Sequence, residues 1–450
     1  MTPDALLDLA RSVVARAGAD EELEVAVSAS RSTSVRVYGG EVESFTSAEN
    51  LAIGVRVVRD GRQGFAHAGS LDPDVVADVL AEARDNLDFA EADPHVGLAR
   101  PDGVPVIDQD LWCEAALALA PQDKIERALE VERRVRAADR RITGVRTASF
   151  GDSAGSYALA STAGIEAASR ATSTSLSVQA LAVDGERTQT GVGWDAARDP
   201  GRMDLERVVA RAVDQAVGLF GATKPGTRRL DLVLDPHQAA TVLGLVAGTL
   251  TADRVLKGRS PFVDRVGEQI GSPLLHLTDD PTDPGSLGAD THDGEGLACR
   301  RNPLVVDGVL EGYLYDSYTG RRAGTGSTGS AVRGTRGLPS PGLQALAVRP
   351  GAGTLDELVA GIDDGLLVYS LAGLHSGVNP VSGDFSVGVE GRLIRGGELA
   401  EPVSECTLGS TLQRLLLDVS RVGGDVQHLP SGVSTPALVV SGVVLSGATP

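Results

Sequence analysis

The sequence LEVAVSASRSTSVRVYGGEVESFTSAENLAIGVRVVRDGRQGFAHA, residues 23–68, sets the fold class of the first half of the chain. It contains runs in which apolar and polar residues alternate, separated by the turn pairs Gly39 with Gly40 and Asp60 with Gly61. Alternation with a period of two is typical of half-buried strands, and a Gly-Gly or Asp-Gly pair between such runs favours a tight hairpin. We therefore predict an antiparallel meander here.

Helical patterns and a second alternating segment surround this meander. Apolar residues recur at helical spacing in residues 3–17, 71–88, 123–138 and 205–220. Residues 142–183 alternate again, whereas residues 92–121 contain four prolines and are expected to form an irregular connection. The segment GATKPG, residues 221–226, is the predicted boundary. Residues 1–225 are thus expected to form an N-terminal α/β domain with an antiparallel sheet.

The second half of the chain, residues 226–450, is Gly-rich and strand-like. The patterns predict a strand at 230–234, a helix at 236–250, short helices near 355–362 and 408–417, and a buried closing strand at 436–445. Together they indicate a C-terminal β-rich domain with a few helices, and hence an α+β protein. No internal repeat is visible in the sequence.

Composition and charge narrow the classes of function. The chain carries 41 basic and 61 acidic side chains, and its net charge of −20 argues against nucleic acid as a partner. The three cysteines are widely separated and suit a reducing compartment. Charges interrupt the N-terminal helix, and no apolar run approaches the roughly 20 residues of a membrane helix. We predict a cytoplasmic protein with no membrane partner.

Two glycine motifs match functional ones, but their surroundings argue otherwise. Residues 151–155 match G-x-S-x-G, which as a nucleophile elbow must lead into a helix. Strand-like residues follow it, so a hairpin turn is expected. Residues 324–329 match G-x-G-x-x-G, but the sequence AVRGTRGLPSPG after them cannot form the helix that a dinucleotide site needs. A glycine loop is expected there.

Two segments remain as candidate sites. Residues 279–295 gather side chains of the kind that bind cations, namely Asp279, Asp280, Asp283, Asp290, His292, Asp293 and Glu295. Their spacing matches no EF-hand, and a solvated acidic loop is expected. The segment LHSGVNPVSGDFS, residues 374–386, surrounds His375 with glycine and small polar residues. Such a loop can lay its backbone against a ligand.

Four segments in order resemble the TldD/PmbA family of metalloproteases. They are residues 38–66, residues 230–273 (LDLVLDPHQAATVLGLVAGTL and onward), residues 279–329, and residues 374–416. The last of them is similar in particular to the PmbA branch. The resemblance covers nearly the whole chain.

The catalytic TldD branch of that family carries an HExxxH zinc helix. Aligned on it, this chain places Gly244, Leu245 and Thr249 at the His, Glu and His positions, and none of the three supplies the chemistry that zinc needs. The chain contains no HExxH or HExxxH. The resemblance implies a member of the non-zinc TldE branch, with no cofactor of its own and with zinc in a TldD-type partner.

The resemblance further implies that the two subunits together cleave unfolded peptides. We expect this chain to shape the peptide cavity and its β-rich C-terminal half to accept extended peptides by strand addition. The candidate peptide-binding residues are His375, Ser376, Gly377, Asn379 and Ser382. The alternative is an independent hydrolase or binding protein that uses residues 279–295 with His375. A third possibility is a scaffold without a role in proteolysis.

Overall fold

The computed structural model describes residues 1–447. The helices are α1 (Pro3–Val14), α2 (Pro73–Asp85), α3 (Glu114–Leu117), α4 (Pro121–Ala138), α5 (Leu205–Gly218), α6 (Pro236–Thr249), α7 (Ala252–Leu256), α8 (Ser317–Ala323), α9 (Leu355–Ala360), α10 (Leu374–Gly377) and α11 (Leu412–Leu417). The strands are β1 (Glu22–Tyr38), β2 (Glu41–Arg59), β3 (Arg62–Ala68), β4 (Ile142–Ser161), β5 (Glu166–Asp184), β6 (Arg187–Ala197), β7 (Arg228–Leu234), β8 (Leu277–Asp279), β9 (Asn302–Val306), β10 (Val309–Leu310), β11 (Ala331–Val332), β12 (Ser340–Pro341), β13 (Leu346–Val348), β14 (Asp364–Ala372), β15 (Asp384–Arg395), β16 (Glu398–Thr411), β17 (Val419–Val422), β18 (Gln427–His428), β19 (Val433–Thr435) and β20 (Leu438–Ser446).

The N-terminal half is built on one antiparallel sheet in the order β3-β2-β1-β4-β5-β6. The predicted meander is present, but runs that the sequence separates join into strands of 17 and 19 residues, β1 and β2. The turns are those expected. Gly39 and Gly40 have φ angles of 64° and 82°, and Asp60 and Gly61 have φ angles of 51° and 71°. These left-handed conformations are the ones that a tight hairpin requires.

The N-terminal half repeats one unit, a helix followed by three strands and a second helix. The first copy is α1-β1-β2-β3-α2 and the second is α4-β4-β5-β6-α5. β1 and β4 are antiparallel neighbours at the centre of the sheet, so an approximate two-fold axis lies between them. β1 supplies Val25 and Val27 to one apolar core and Val35 and Val37 to the other, all from the same face. This symmetry is not visible in the sequence, because the two copies share the spacing of their apolar residues but not the residues themselves.

The opposite face of the sheet carries none of the helices α1, α2, α4 and α5, and its middle is polar. Small residues lie in register across β2, β1, β4 and β5; one row is Thr46, Ser34, Gly151 and Ser175, and the next is Ala48, Ser32, Ser153 and Ser173. We call these rows the polar sheet face. The G-x-S-x-G motif lies here, in the middle of β4, so the hairpin turn predicted for it is wrong. The small residues of the motif lie on the polar sheet face, in the middle of a long strand.

The C-terminal half contains a closed barrel. Its strands follow the order β16-β15-β14-β7-β20, and β20 pairs back onto β16. α6 packs its apolar residues into the same core as the barrel strands. A second sheet of short strands has the order β10-β9-β8-β13-β19-β18. The α+β fold class is confirmed.

One helix boundary in this half differs from the prediction for residues 408–417. β16 runs to Thr411, and α11 begins only at Leu412, because the Thr411 side chain caps the helix by accepting the Arg414 N–H. Of the helices within residues 1–447, none is long and apolar enough to cross a membrane.

The two halves meet at a buried ion pair. The Glu24 carboxylate of β1 contacts the Arg333 guanidinium, and Arg56 Nη1 lies 3.9 Å from Glu24 Oε1. The Glu24 and Arg333 side chains are at most 1% exposed. Nearby, a Cβ on Gly54 would lie 2.2 Å from the Thr335 carbonyl oxygen, so only glycine permits this approach. We call these five residues the junction.

The acidic segment 279–295 is partly buried, so the expectation of a solvated loop is wrong. Asp279, Asp293 and Glu295 are at most 3% exposed. Asp279 accepts hydrogen bonds from two backbone N–H groups and Asp293 from three, while Glu295 Oε2 accepts the Ser317 N–H at 2.8 Å. Irregular loops leave many backbone donors without a strand partner, and these carboxylates satisfy them.

The buried carboxyl groups predict a pH dependence of stability. Burial raises the pKa of Glu295 to about 8 and the pKa values of Asp279 and Asp293 to about 6. Native Glu295 keeps its proton while the unfolded chain releases it near pH 4.5, so stability falls as the pH rises toward about 8, by at most about 1.4 kcal/mol per pH unit. We expect the free energy of unfolding, measured with denaturant between about pH 6.5 and 8, to fall less steeply for Glu295→Gln, which keeps the acceptor for Ser317.

Asp279→Asn is the matched control for this measurement. It also keeps a side-chain oxygen as acceptor, but the pKa of about 6 confines its effect to lower pH. Equal slopes for Glu295→Gln and the parent protein above about pH 6.5 would contradict a protonated native Glu295.

Candidate functional site

α6 is buried on every side but one. Its partly accessible residues are Gln238, Thr241, Gly244, Leu245 and Gly248. Their spacing of three or four places them on one side of a helix with 3.6 residues per turn. A Cβ on Gly244 or Gly248 would meet no atom within 4 Å, so open space adjoins the helix there. We call this surface the open side of α6.

The residues of this helix do not fit a zinc ion. Gly244 and Leu245 lie on the open side and offer neither imidazole nor carboxylate. Thr249 is 1% exposed, and its Oγ1 donates to the Val246 carbonyl at 2.6 Å. Residues five apart on a regular helix are separated by about 140°. Thr249, which occupies the second His position of the HExxxH motif, therefore lies away from the open side of α6.

His237 lies on the same side of α6, about two turns before Gly244. Its ring packs edge-on against Trp194 of β6, with ring centroids 4.5 Å apart, and closes that end of the open side. Burial, together with the charges of Arg211 and Arg207, lowers the pKa of His237 to about 3, so the ring is neutral near pH 7. Within residues 1–447, no three His, Cys, Asp or Glu side chains are grouped in a way that could hold a metal ion.

Strand pairing brings the predicted loop to the start of α6. β7 and β14 are parallel neighbours, so their carboxyl ends reach the same rim of the barrel, where β7 leads into α6 and β14 into α10. Gln238 Nε2 donates to the Tyr369 carbonyl at 3.0 Å and ties the two exits together. This barrel rim therefore joins the open side of α6 to the loop 374–384.

Three of the five candidate peptide-binding residues lie in α10. His375 and Ser376 are exposed to solvent. Gly377 permits close packing on β15, because a Cβ there would lie 2.0 Å from the Ser386 carbonyl oxygen. The first two residues can contact a ligand, and the third positions them.

The other two candidates hold the turn that follows α10. The Asn379 side chain accepts the N–H groups of Val381 and Ser382 at 2.9 and 3.3 Å. Ser382 Oγ donates to Asp384 Oδ2 at 2.6 Å. An Asn that caps its own turn in this way is a common loop device. A substitution at Asn379 would therefore change the loop itself, whereas one at Ser376 would change only its surface.

Motif reasoning did not single out a cleft of about 600 Å³ between the two halves. It is lined by residues 110–113, 195–199, 284–285 and 426–428, together with Arg202, Arg207 and Leu287. No motif spans segments so far apart in the sequence. The polar sheet face did have a signal, the alternating Ser and Thr of residues 28–34 and 169–177, but only the strand register shows that these side chains share one face.

Comparison with known proteins gives the family. Family models match the chain as PmbA/TldA metallopeptidase domain 1 at residues 23–87, the central domain at 115–220 and the C-terminal domain at 227–447. The metalloprotease PmbA of Escherichia coli O157:H7 is 26% identical over 91% of this chain and 89% of its own. The metalloprotease TldD homolog of Haemophilus influenzae is 27% identical over 88% of this chain and 86% of its own.

The fold agrees with these matches. The crystal structure of TldE from Thermococcus kodakarensis superposes with a TM-score of 0.88 at 23% identity, over 99% of both chains. Three family domains match in order, two curated relatives share most of their length with this chain, and the fold is the same. The chain therefore belongs to the PmbA/TldD family of metallopeptidases.

Proposed function

We propose that the chain is a TldE-type subunit of a cytoplasmic metalloprotease that degrades or processes unfolded peptides. In this proposal it shapes the peptide cavity, while a TldD-type subunit carries the zinc. The observation that carries the proposal is the open side of α6, where Gly244 and Leu245 occupy the first His and the Glu positions of the zinc motif and open space adjoins Gly244 and Gly248. α6 remains packed in the barrel core, and its open side provides space for a substrate instead of ligands for a metal ion.

The surroundings of α6 support a role in holding an extended peptide. The two glycines allow a backbone to approach closely. His375 and Ser376 at the barrel rim offer exposed hydrogen-bonding groups. Trp194, which packs on His237, pairs with Ser177 beside the polar sheet face, so that face and the open side of α6 meet at this tryptophan. A peptide between them would find hydroxyl groups and glycine on both sides.

A further free strand edge lies on the N-terminal half. The barrel of the C-terminal half closes where residues 407–409 of β16 pair with residues 444–446 of β20, and strand addition to the C-terminal half stays a prediction. β3 pairs with β2 only at residues 53–59, and the outer edge of residues 41–52 keeps its backbone groups unpaired within residues 1–447. Exposed apolar side chains lie along this hairpin at Tyr38, Val42, Phe45 and Leu51. Such an edge favours pairing with another chain, and we assign it to the TldD-type subunit.

The alternative, an independent hydrolase or binding protein built on residues 279–295 with His375, has less support. Asp279, Asp293 and Glu295 accept backbone N–H groups, and Asp280 accepts the hydroxyl of Thr282 at 2.5 Å. These oxygen atoms are therefore engaged in holding loops.

The first test of the proposal is cleavage by the separate and the mixed subunits. The isolated chain should not cleave casein or an unstructured peptide, because within residues 1–447 no His, Cys, Asp and Glu side chains are grouped as a metal site. Addition of a TldD-type subunit should produce cleavage that a chelator abolishes. Peptide fragments are measured by mass spectrometry. Cleavage by the chain alone, at a rate that the partner does not increase, would contradict the proposal.

The second test addresses the partner surface. Phe45→Asp should weaken association with the TldD-type subunit by about tenfold or more, because it places a charge in an apolar contact. Phe89→Asp is the control, since Phe89 is 87% exposed and lies in the turn after α2 rather than on the free edge. Association is measured by sedimentation. Equal affinity for the two variants would place the partner elsewhere.

The third test addresses the loop 374–384. Ser376→Trp should slow peptide cleavage by the assembled complex several-fold, because the ring would occupy the barrel rim. The melting temperature and the association with the partner should stay nearly unchanged, since exposed substitutions change stability by about 0.5 kcal/mol or less. Ser12→Trp, on the exposed side of α1, is the matched control. A normal cleavage rate for Ser376→Trp would remove the loop from the cavity.

A further inference from the structure

The cleft between the two halves has a volume of about 600 Å³, which lies in the range of ligand-binding pockets. One wall comes from the N-terminal half, where β6 ends and the connection from α2 passes. The other comes from residues 284–285, Leu287 and residues 426–428. Apolar groups in it include Leu111, Trp112 and Leu287. The cleft is separate from the loop 374–384 and from the open side of α6.

Three arginines line this cleft, in a chain whose net charge is −20. Arg202 is exposed, and within residues 1–447 no carboxylate lies within salt-bridge distance of it. Arg207 is 38% exposed, with Nη2 3.0 Å from Asp195 Oδ1. Arg198 donates to the Ser286 carbonyl at 2.8 Å, its Nε is buried without a partner, and burial lowers its pKa. Within residues 1–447, the Arg198 and Arg202 guanidinium groups thus have no carboxylate within salt-bridge distance and could pair with an anion in the cleft.

Three aspartates also line the cleft, and within residues 1–447 only one of them, Asp195, lies within salt-bridge distance of one of these arginines, Arg207. Asp195 Oδ2 accepts the Asp204 N–H at 2.8 Å, and Asp199 Oδ1 accepts the Gly201 N–H at 2.8 Å. Asp110 Oδ1 accepts the N–H of Trp112 at 3.4 Å. The carboxylates hold backbone turns, while Arg202 keeps its full set of donors. Guanidinium groups bind carboxylates through paired, charge-assisted hydrogen bonds.

We infer that this cleft binds a carboxylate of an extended peptide. The inference rests on the proposed function and names a feature of its substrate. Ala196 in the cleft lies opposite Ser175 of the polar sheet face, so a peptide on that face would reach the arginines at its end. Leu111, Trp112 and Leu287 provide an apolar wall for the neighbouring side chain. The carboxylate comes either from the C-terminus of the peptide or from an acidic side chain.

The test uses the isolated chain and three decapeptides of alanine, serine and glycine. One has a free C-terminus, one is amidated, and one is amidated with an internal aspartate. Trp112 in the cleft is one of two tryptophans and reports binding by fluorescence, with calorimetry as the second readout. We expect the free-carboxylate peptide to bind about tenfold more tightly than the amidated peptide. Binding of the third peptide would assign the site to acidic side chains as well.

Two arginine variants make the test specific. Arg202→Gln should weaken binding of the free-carboxylate peptide by about tenfold. Arg140→Gln, an exposed arginine outside the cleft, should leave it unchanged. Equal binding of the free and amidated peptides, or tight binding by Arg202→Gln, would overturn the inference. The measurement involves neither partner nor cleavage, so its failure would leave the proposed function standing.

Discussion

The buried contact between Glu24 of β1 and Arg333 of the C-terminal half fixes the geometry on which the rest of the molecule depends. Removing either charge from water costs several kcal/mol, and that cost is offset only while the two groups stay together. Arg56 adds a second cation beside the same carboxylate. The N-terminal sheet therefore cannot slide over the C-terminal half without leaving a charge buried and unpaired, and Gly54 sets how closely the two approach.

This contact holds only one end of the polar sheet face. Ser28 Oγ lies 3.4 Å from Thr335 Oγ1 at the junction, and at the other end Trp194 packs on His237 of α6. Ser34 and Ser175, between these two attachments, remain exposed. The molecule thus has an accessible surface, lined with hydroxyl groups, between the N-terminal sheet and the start of α6. The many small hydrogen-bonding groups of this surface would suit the unfolded peptide substrate that we propose.

Local sequence chemistry predicted the elements that local chemistry controls. The hairpins at Gly39 with Gly40 and at Asp60 with Gly61 follow from the conformational preferences of single residues. The long-range features could not be predicted in this way. The two-fold arrangement of the N-terminal half and the closure of the barrel depend on strand pairings between residues far apart in the sequence, such as the pairing of β20 with β16.

The candidate site was predicted in part. The alignment of Gly244, Leu245 and Thr249 identified the helix, but only the structure shows that Thr249 is buried while the other two are accessible. The burial of the acidic segment, residues 279–295, was not predicted. Its composition suggested solvent exposure, yet its carboxylates are buried because irregular loops around them need acceptors. Burial of a polar residue depends on partners that lie far away in the sequence.

We propose that α6, the helix at the position of the family's zinc helix, supplies a surface without a metal. The most direct test is the zinc content of the purified chain and of its complex with a TldD-type subunit, measured by elemental analysis after dialysis. We expect almost no zinc in the chain alone and about one zinc ion per TldD-type subunit in the complex. Close to one zinc ion per chain in the isolated protein, lost when His237 is replaced by alanine, would contradict it.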